Sequence, residues 1–390
     1  MCDGVATVRN AATYILAGGG TGGHLFPGIA VAEKILAHDD SARIVFVGSE
    51  REIDHHISQN HGFEHHVLPA VSTKVARRNP IRFVWRNWRA IRLAKLMLQQ
   101  ITPSAVIGLG GFASVPVVLA AKHLKIPTLL LEQNVLPGRA NRWLCRRASM
   151  ICLSFEQSAD YLSKCGPFCV TGNPVRQQIA AMHCQSAQFV EKATPTLLIL
   201  GGSQGAVALN EAMLPTIQAL RKALNGWKVV HQTGRQQVEL VRNRYSAISI
   251  DSVVEPFFAD VSQWYRRANI VVSRGGATTL AELACAGVPA ILVPFPHAAE
   301  NHQWLNARVF SESGAARIVE QTPNRISLSD RLISALTDLQ SDQALYQRMQ
   351  RAMKSLACPN AAQAVTEQLF ALAKVDAQLK YEPRVHLRTS

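Results

Sequence analysis

The chain has 390 residues, more than one ordinary core accommodates and a good match to two domains of about 150–200 residues each. Apolar residues make up 48 % and charged residues only 17 %, which argues against long disorder, and no apolar run is long enough to cross a bilayer. The formal net charge of +14 favours partners that carry negative charge, whether nucleic acid, an acidic membrane or phosphorylated ligands, without choosing among them.

In chain order, the first ten residues lack the apolar core of a secretory signal. Residues 13–17, 43–47, 105–109, 128–131 and 150–153 read as buried strands, with helices between them, for example 28–38 and 113–124. Strands alternating with helices imply parallel βαβ units. Within this series, no acidic residue occurs between His65 and Leu131, while Lys74, Arg77, Arg78, Arg82, Arg86, Arg89, Arg92 and Lys95 cluster. Ile81, Val84, Trp85 and Trp88 recur among them at helical spacing, a pattern suited to an anionic membrane surface. The alternatives are a helix packed on its own sheet with solvated arginines, or a nucleic-acid contact with steep salt dependence.

A second series follows, with strands expected at 196–200, 227–231, 270–273 and 290–294 and helices at 209–224 and 278–285. Both series open with a strand, a glycine-rich turn and a helix, so the fold class is α/β with two Rossmann-like domains. The expected bounds are 11–176 and 195–356, then an amphipathic helix over 357–373 packing back on the domains, and a mobile basic tail at 374–390. The eight cysteines form no C-x-x-C pair and read as reduced thiols. His55, His56, His61, His65 and His66 fit no standard metal-ligand spacing.

Three glycine-rich turns carry the chemistry. In Gly18-Gly19-Gly20-Thr21-Gly22-Gly23-His24 the backbone can approach a ligand closely, and the helix that follows turns free N–H groups toward it. A literal G-x-G-x-x-G is present, so with Glu50 as ribose acid a dinucleotide site stays open, but no Gly-Lys-Ser/Thr follows to make a P-loop. His24, at the helix entry, can act as a neutral base or merely cap and pack. Gly201-Gly202-Ser203-Gln204-Gly205-Ala206 suits a phosphate, or is a structural turn. Arg274-Gly275-Gly276-Ala277-Thr278-Thr279-Leu280-Ala281-Glu282 offers hydroxyls and N–H groups for a diphosphate. One turn later, Glu282 offers a carboxylate for two ribose hydroxyls, unless the stretch is only a capped helix with a solvent-facing Glu. Asn301, His302 and Gln303, after the next strand, can bind sugar hydroxyls or form an ordinary polar loop.

Together with Gly110-Gly111-Phe112-Ala113-Ser114-Val115-Pro116, Glu132-Gln133-Asn134 and Thr171-Gly172-Asn173-Pro174-Val175-Arg176, these stretches resemble the MurG family of GT-B glycosyltransferases, in the family's order and over roughly residues 13–370. The resemblance implies two Rossmann-like domains facing across a cleft. It implies an inverting transfer of N-acetylglucosamine (GlcNAc) from UDP-GlcNAc to the 4-hydroxyl of undecaprenyl-diphospho-N-acetylmuramyl-pentapeptide. The donor would be held by Thr21, Gly22, Gly23, Asn134, Arg176, Ser203, Phe258 (against uracil), Ala277, Thr278, Thr279, Leu280, Ala281, Glu282 and Gln303. His24 would be the base, and the Ile81, Val84, Trp85 and Trp88 face would dock on the cytoplasmic side of the inner membrane, with no nucleic acid involved. No D-x-D motif is present, so a divalent cation is compatible with the sequence but not required by it. A UDP-GlcNAc 2-epimerase of the same architecture is the competing reading. Gly275 departs from the family, which often has Ser or Ala there, and would make that loop more flexible.

Overall fold

The computed structural model describes residues 11–19, 22–50, 61–72, 75, 79–162, 165–184, 194–202, 205–322 and 326–381. Two parallel sheets organise them. The first runs in the order β3-β2-β1-β4-β5-β6-β7 and the second β10-β9-β8-β11-β12-β13. In the first, β1 (Thr13–Gly18) lies between β2 (Arg43–Gly48) and β4 (Ala105–Gly110), followed by β5 (Thr128–Glu132) and β6 (Met150–Leu153), with β3 (Glu64–Val67) and β7 (Phe168–Val170) as edges. In the second, β8 (Thr196–Leu200) lies between β9 (Lys228–Gln232) and β11 (Ala268–Ser273), followed by β12 (Ala290–Leu292), with β10 (Ser252–Glu255) and β13 (Ala316–Ile318) as edges.

Side chains alternate across each sheet, so a strand buried on both faces must be apolar throughout. Leu16, Phe46, Ile107 and Leu129 pack on one face with Ile29 and Ile35 of α1 (Gly22–His38) and with Val365 and Leu369 of the last helix. Ile15, Val45 and Val106 pack on the other with Ala94 and Leu98 of α2 (Pro80–Ile101) and Val117 and Ala121 of α3 (Ser114–His123). α4 (Arg139–Leu144) continues that layer. α5 (Gln177–Cys184) leaves the first sheet and sends Ile179 and Met182 into the second domain's core.

The second sheet is covered by α6 (Val207–Ala219), α7 (Val238–Ala247), α8 (Ser262–Arg267), α9 (Ala277–Ala286), α10 (His302–Glu312), α11 (Leu328–Ser341) and α12 (Gln343–Ser355). The last helix, α13, spans Ala361–Tyr381. It runs beyond residue 373, into the stretch expected as tail, because the sequence there contains helix formers and meets no glycine or proline before Pro383. A second difference concerns the cysteines. Cys145 and Cys165, 20 residues apart, form a disulfide because the end of α4 and the loop before β7 bring their Cα atoms to 5.1 Å.

α2 starts at a proline behind Asn79, whose side chain accepts from the Arg82 N–H at 2.9 Å. It buries Ala90, Ala94, Met97 and Leu98 and leaves the opposite face bare, with Ile81 82 % and Trp85 55 % exposed and Val84 and Trp88 similarly open. The Arg89 and Arg92 guanidinium carbons sit 5.6 and 4.9 Å from the Trp85 and Trp88 ring centres. Lys74, Arg77 and Arg78 lie outside the described residues. No helix among the described residues is long and apolar enough to cross a membrane.

Candidate active site

In doubly wound sheets the ligand crevice lies beyond the carboxyl ends of the strands, where the strand order reverses. Here the reversals fall between β1 and β4 and between β8 and β11, and the two crevices open onto one another. The cleft between them has a volume of about 710 Å³ and is lined by Gly23, His24, Gln133 and Asn134 from the first domain. The second domain contributes Gly201, Gly202, Gly205, Glu211, Arg274, Gly276, Ala277, Thr278, Thr279, Phe295, His302, Gln303 and Gln321.

The domains touch through specific polar contacts. The Thr278 hydroxyl donates to the Gly23 carbonyl at 2.8 Å, and Asn173 Nδ2 reaches the same hydroxyl at 3.4 Å. Asn306, fully buried on α10, accepts from the Val135 N–H at 2.9 Å and donates to Asn134 Oδ1 at 3.0 Å and to the Gly275 carbonyl at 3.2 Å. At the rim, Glu300 pairs with Arg139 at 3.3 Å and with Arg142.

His24 stands at the start of α1. Its Nδ1 meets Gln133 Oε1 at 3.1 Å. Burial lowers its pKa below 6.5, ahead of the opposing pull of the Glu132 carboxylate and the Gln133 hydrogen bond. Glu132 is itself tied down. Oε1 accepts from the Asn134 N–H at 2.9 Å, and Oε2 accepts from the Gly138 N–H and Asn141 Nδ2, each at 2.9 Å. It shapes the loop after β5 and does not face the cleft. Across the cleft, Arg274 donates to the Val293 carbonyl at 2.9 Å and to Gln321 Oε1 at 2.8 Å, and burial lowers its pKa to about 10. It remains a cation at neutral pH beside the amino end of α9.

The residues expected from sequence divide into three groups. His24, Gly23, Asn134, Ala277, Thr278, Thr279 and Gln303 converge on the cleft. Thr21 and Ser203 lie outside the described residues. Gly22, Leu280, Ala281, Phe258, Arg176 and Glu282 are not among the residues that line it. Phe258 is buried in the second core, its N–H donating to Gln232 Oε1 at 3.2 Å.

Glu282, expected from sequence to meet a ribose, is held by protein groups in this structure. It is 5 % exposed, with Oε1 taken by Arg176 Nη2 at 2.9 Å and Oε2 by the Tyr265 hydroxyl at 2.9 Å. In this structure the carboxylate ties Arg176, whose guanidinium lies over the Phe26 ring at 4.7 Å, to the second domain. Arg176 Nε and Asn173 Oδ1 are buried with no hydrogen-bond partner among the described residues.

Gln133 and Asn306 carry no role that sequence reasoning assigned. The first sits inside a motif quoted for other reasons, and no local pattern signals the second. His55 and His56 lie outside the described residues. Among those described, no three His, Cys, Asp or Glu side chains come together as metal ligands.

Two parallel Rossmann sheets whose ligand edges enclose a glycine-walled cleft define a GT-B glycosyltransferase architecture. Comparison with known proteins sharpens that class. The glycosyltransferase family 28 N-terminal domain matches residues 14–152 and the family 28 C-terminal domain matches residues 196–365. The UDP-N-acetylglucosamine--N-acetylmuramyl-(pentapeptide) pyrophosphoryl-undecaprenol N-acetylglucosamine transferase of Syntrophotalea carbinolica is 37 % identical over 354 residues, 89 % of this chain and 95 % of its own. The enzyme of the same name from Geobacter sulfurreducens is 36 % identical over 369 residues, 92 % of this chain and 98 % of its own. The crystal structure of Acinetobacter baumannii MurG superposes with a TM-score of 0.70 at 27 % identity, covering 92 % of this chain and 99 % of that one. A UDP-GlcNAc 2-epimerase from Neisseria meningitidis, solved with UDP-GlcNAc, gives a TM-score of 0.65 at 15 % identity, covering 92 % of this chain and 100 % of that one, a likeness of fold alone. The chain belongs to glycosyltransferase family 28, in its MurG branch.

Proposed function

We propose that this protein transfers GlcNAc from UDP-GlcNAc to the 4-hydroxyl of the N-acetylmuramic acid in undecaprenyl-diphospho-muramyl-pentapeptide, with inversion at the anomeric carbon. One observation carries the reading. A neutral imidazole from the first domain, His24, and the amino end of α9 from the second share a single cleft. The acceptor oxygen attacks the sugar's anomeric carbon as the bond to the β-phosphate breaks. The hydroxyl proton passes to His24, and UDP departs with its added charge facing the α9 N–H groups, Thr279 and Arg274. The names of the relatives from S. carbinolica and G. sulfurreducens supply the substrates.

The second domain, 195–356, would hold the donor, with Thr21, Gly22 and Gly23 facing it from the first. Ser203 would join the diphosphate site. The first domain, 11–176, would take the acceptor. Its α2 face, with Ile81, Val84, Trp85 and Trp88 between arginines, would dock on anionic lipid at the cytoplasmic side of the inner membrane.

The test is UDP release from UDP-GlcNAc with and without a lipid-linked muramyl-peptide acceptor in detergent. Acceptor-dependent release with a disaccharide product is the expected result. Consumption of UDP-GlcNAc without acceptor, or no UDP-GlcNAc binding, would overturn the proposal. His24→Ala should slow turnover by roughly 10²–10⁴, and full activity in the folded variant removes it as the base.

A further inference from the structure

Gln133, in the loop after β5, is 3 % exposed. Its amide bridges two groups. Nε2 donates to the Leu109 carbonyl at 2.9 Å, and Oε1 lies 3.1 Å from His24 Nδ1. The carbonyl decides which way round the amide sits. Turned over, Oε1 would face the Leu109 oxygen, two acceptors with no proton between them in a buried site. With the amide so held, Oε1 can only accept. A neutral imidazole has one ring proton, and the hydrogen bond to Oε1 requires it on Nδ1. Nε2 is then the nitrogen with the free lone pair. Gly110 makes the approach feasible. Its φ is +99°, and a Cβ there would stand 3.0 Å from His24 Nδ1.

We propose that Gln133 is a positioning residue that holds His24 in the Nδ1–H tautomer and so presents Nε2 to the attacking hydroxyl of the acceptor. The proposal rests on the reading of His24 as the base. The charged or titratable groups that face His24 are Glu132 from the end of β5 and His302 from the start of α10. Glu132 is held by the Asn134 and Gly138 N–H groups and the Asn141 amide, and His302 donates its own Nδ1–H to the Ala299 carbonyl at 2.8 Å. Neither competes for the His24 Nδ1 proton, and the Leu109 backbone oxygen is a further acceptor beside the ring. A carboxylate at position 133 would select the same tautomer but would also stabilise the imidazolium. A neutral amide selects the tautomer and leaves the base unprotonated near pH 7.

The experiment uses the full-length protein labelled with ¹⁵N-histidine, with the His24 resonances assigned by their loss in His24→Ala. Long-range ¹H–¹⁵N spectra of the wild type should show His24 with Nδ1 protonated and Nε2 unprotonated. Gln133→Met, which keeps the length and removes the side-chain acceptor, should weaken that tautomer preference. Its kcat should fall by about 10- to 10²-fold, up to the lower end of the loss expected for the base itself, while KM for UDP-GlcNAc stays within about twofold. Gln133→Glu gives up the Leu109 hydrogen bond but keeps an acceptor toward Nδ1. It should restore the tautomer and raise the acid limb of kcat/KM by about one pH unit or more. An Nε2-protonated His24 in the wild type, or wild-type tautomer and kcat in Gln133→Met, would overturn the proposal while leaving His24 as base. Full activity in folded His24→Ala would remove the base, and with it the catalytic role of Gln133.

Discussion

Gly275→Ala adds one methyl group at the loop between β11 and α9. The backbone there is not in the left-handed region, so the obstacle is the side chain itself. A Cβ at this position would lie 2.3 Å from the Gln303 carbonyl oxygen and 3.0 Å from its carbonyl carbon. Neither side yields easily. The Gly275 carbonyl accepts from the buried Asn306 amide, and Gln303 Oε1 accepts from the Phe295 N–H at 3.0 Å. Restoring van der Waals distance requires the first turn of α10 to retreat by roughly an ångström. Overpacking of this kind costs about 1–3 kcal/mol, which for a domain of this size lowers Tm by about 2–12 °C. Because Gln303 borders the cleft and Asn306 links Gly275 to Asn134, KM for UDP-GlcNAc should rise as well. Thermal unfolding by circular dichroism, with and without UDP-GlcNAc, reads the first effect, and initial rates read the second. A variant with unchanged Tm and unchanged KM would refute the close approach. The residue expected from sequence to loosen this loop is, in the structure, the one that lets α10 seat against it.

Three further predictions concern other parts of the molecule. Glu282→Gln leaves the Arg176 guanidinium, 9 % exposed, without its counter-charge and should cost about 3–5 kcal/mol in denaturant unfolding; a loss too small to measure would mean the pair is open to solvent. His231 is buried between the Tyr245 hydroxyl at 2.9 Å and Asn210 Oδ1 at 3.1 Å, and burial lowers its pKa from 6.5 to about 3. Between those two values the unfolded chain binds a proton that the folded one does not. Its contribution to stability is therefore complete above pH 6.5 and declines on acidification by about 1.4 kcal/mol per pH unit. Replacing His231 by Gln should flatten the dependence of unfolding free energy on pH between 6.5 and 5, and an unaltered slope would show that the histidine is not held neutral. Trp85→Ala with Trp88→Ala should weaken sedimentation with anionic vesicles while leaving hydrolysis-free UDP-GlcNAc binding intact; equal vesicle binding would count against the α2 face as the membrane contact.

The interior strands were legible because burial on both faces demands apolar residues throughout. Residues 13–17, 43–47, 128–131 and 196–200 meet that demand, and each appears as a strand. The strands that sequence reading missed are the four edges, β3, β7, β10 and β13. An edge strand has a neighbour on one side only, can be short, and tolerates polar residues such as those of Glu64-His65-His66-Val67, so it leaves little periodic signal.

By itself the sequence determined the two-domain plan, the glycine turns after β1, β8 and β11, and the hydroxyl and imidazole groups that follow them. Those features depend on local spacing and on where a strand hands over to a helix. What Glu282 touches, which cysteines pair and which nitrogen of His24 bears the proton were decided only in the tertiary structure. Glu282 could meet a ribose or a guanidinium with equal local logic, and Arg176 reached it from 106 residues away. Gln133 met His24 across 109 residues, and Asn306 met Val135 across 171. Contacts of that separation depend on how two sheets stack and close, and a hydrogen bond satisfied from so far away leaves no trace in the residues beside it.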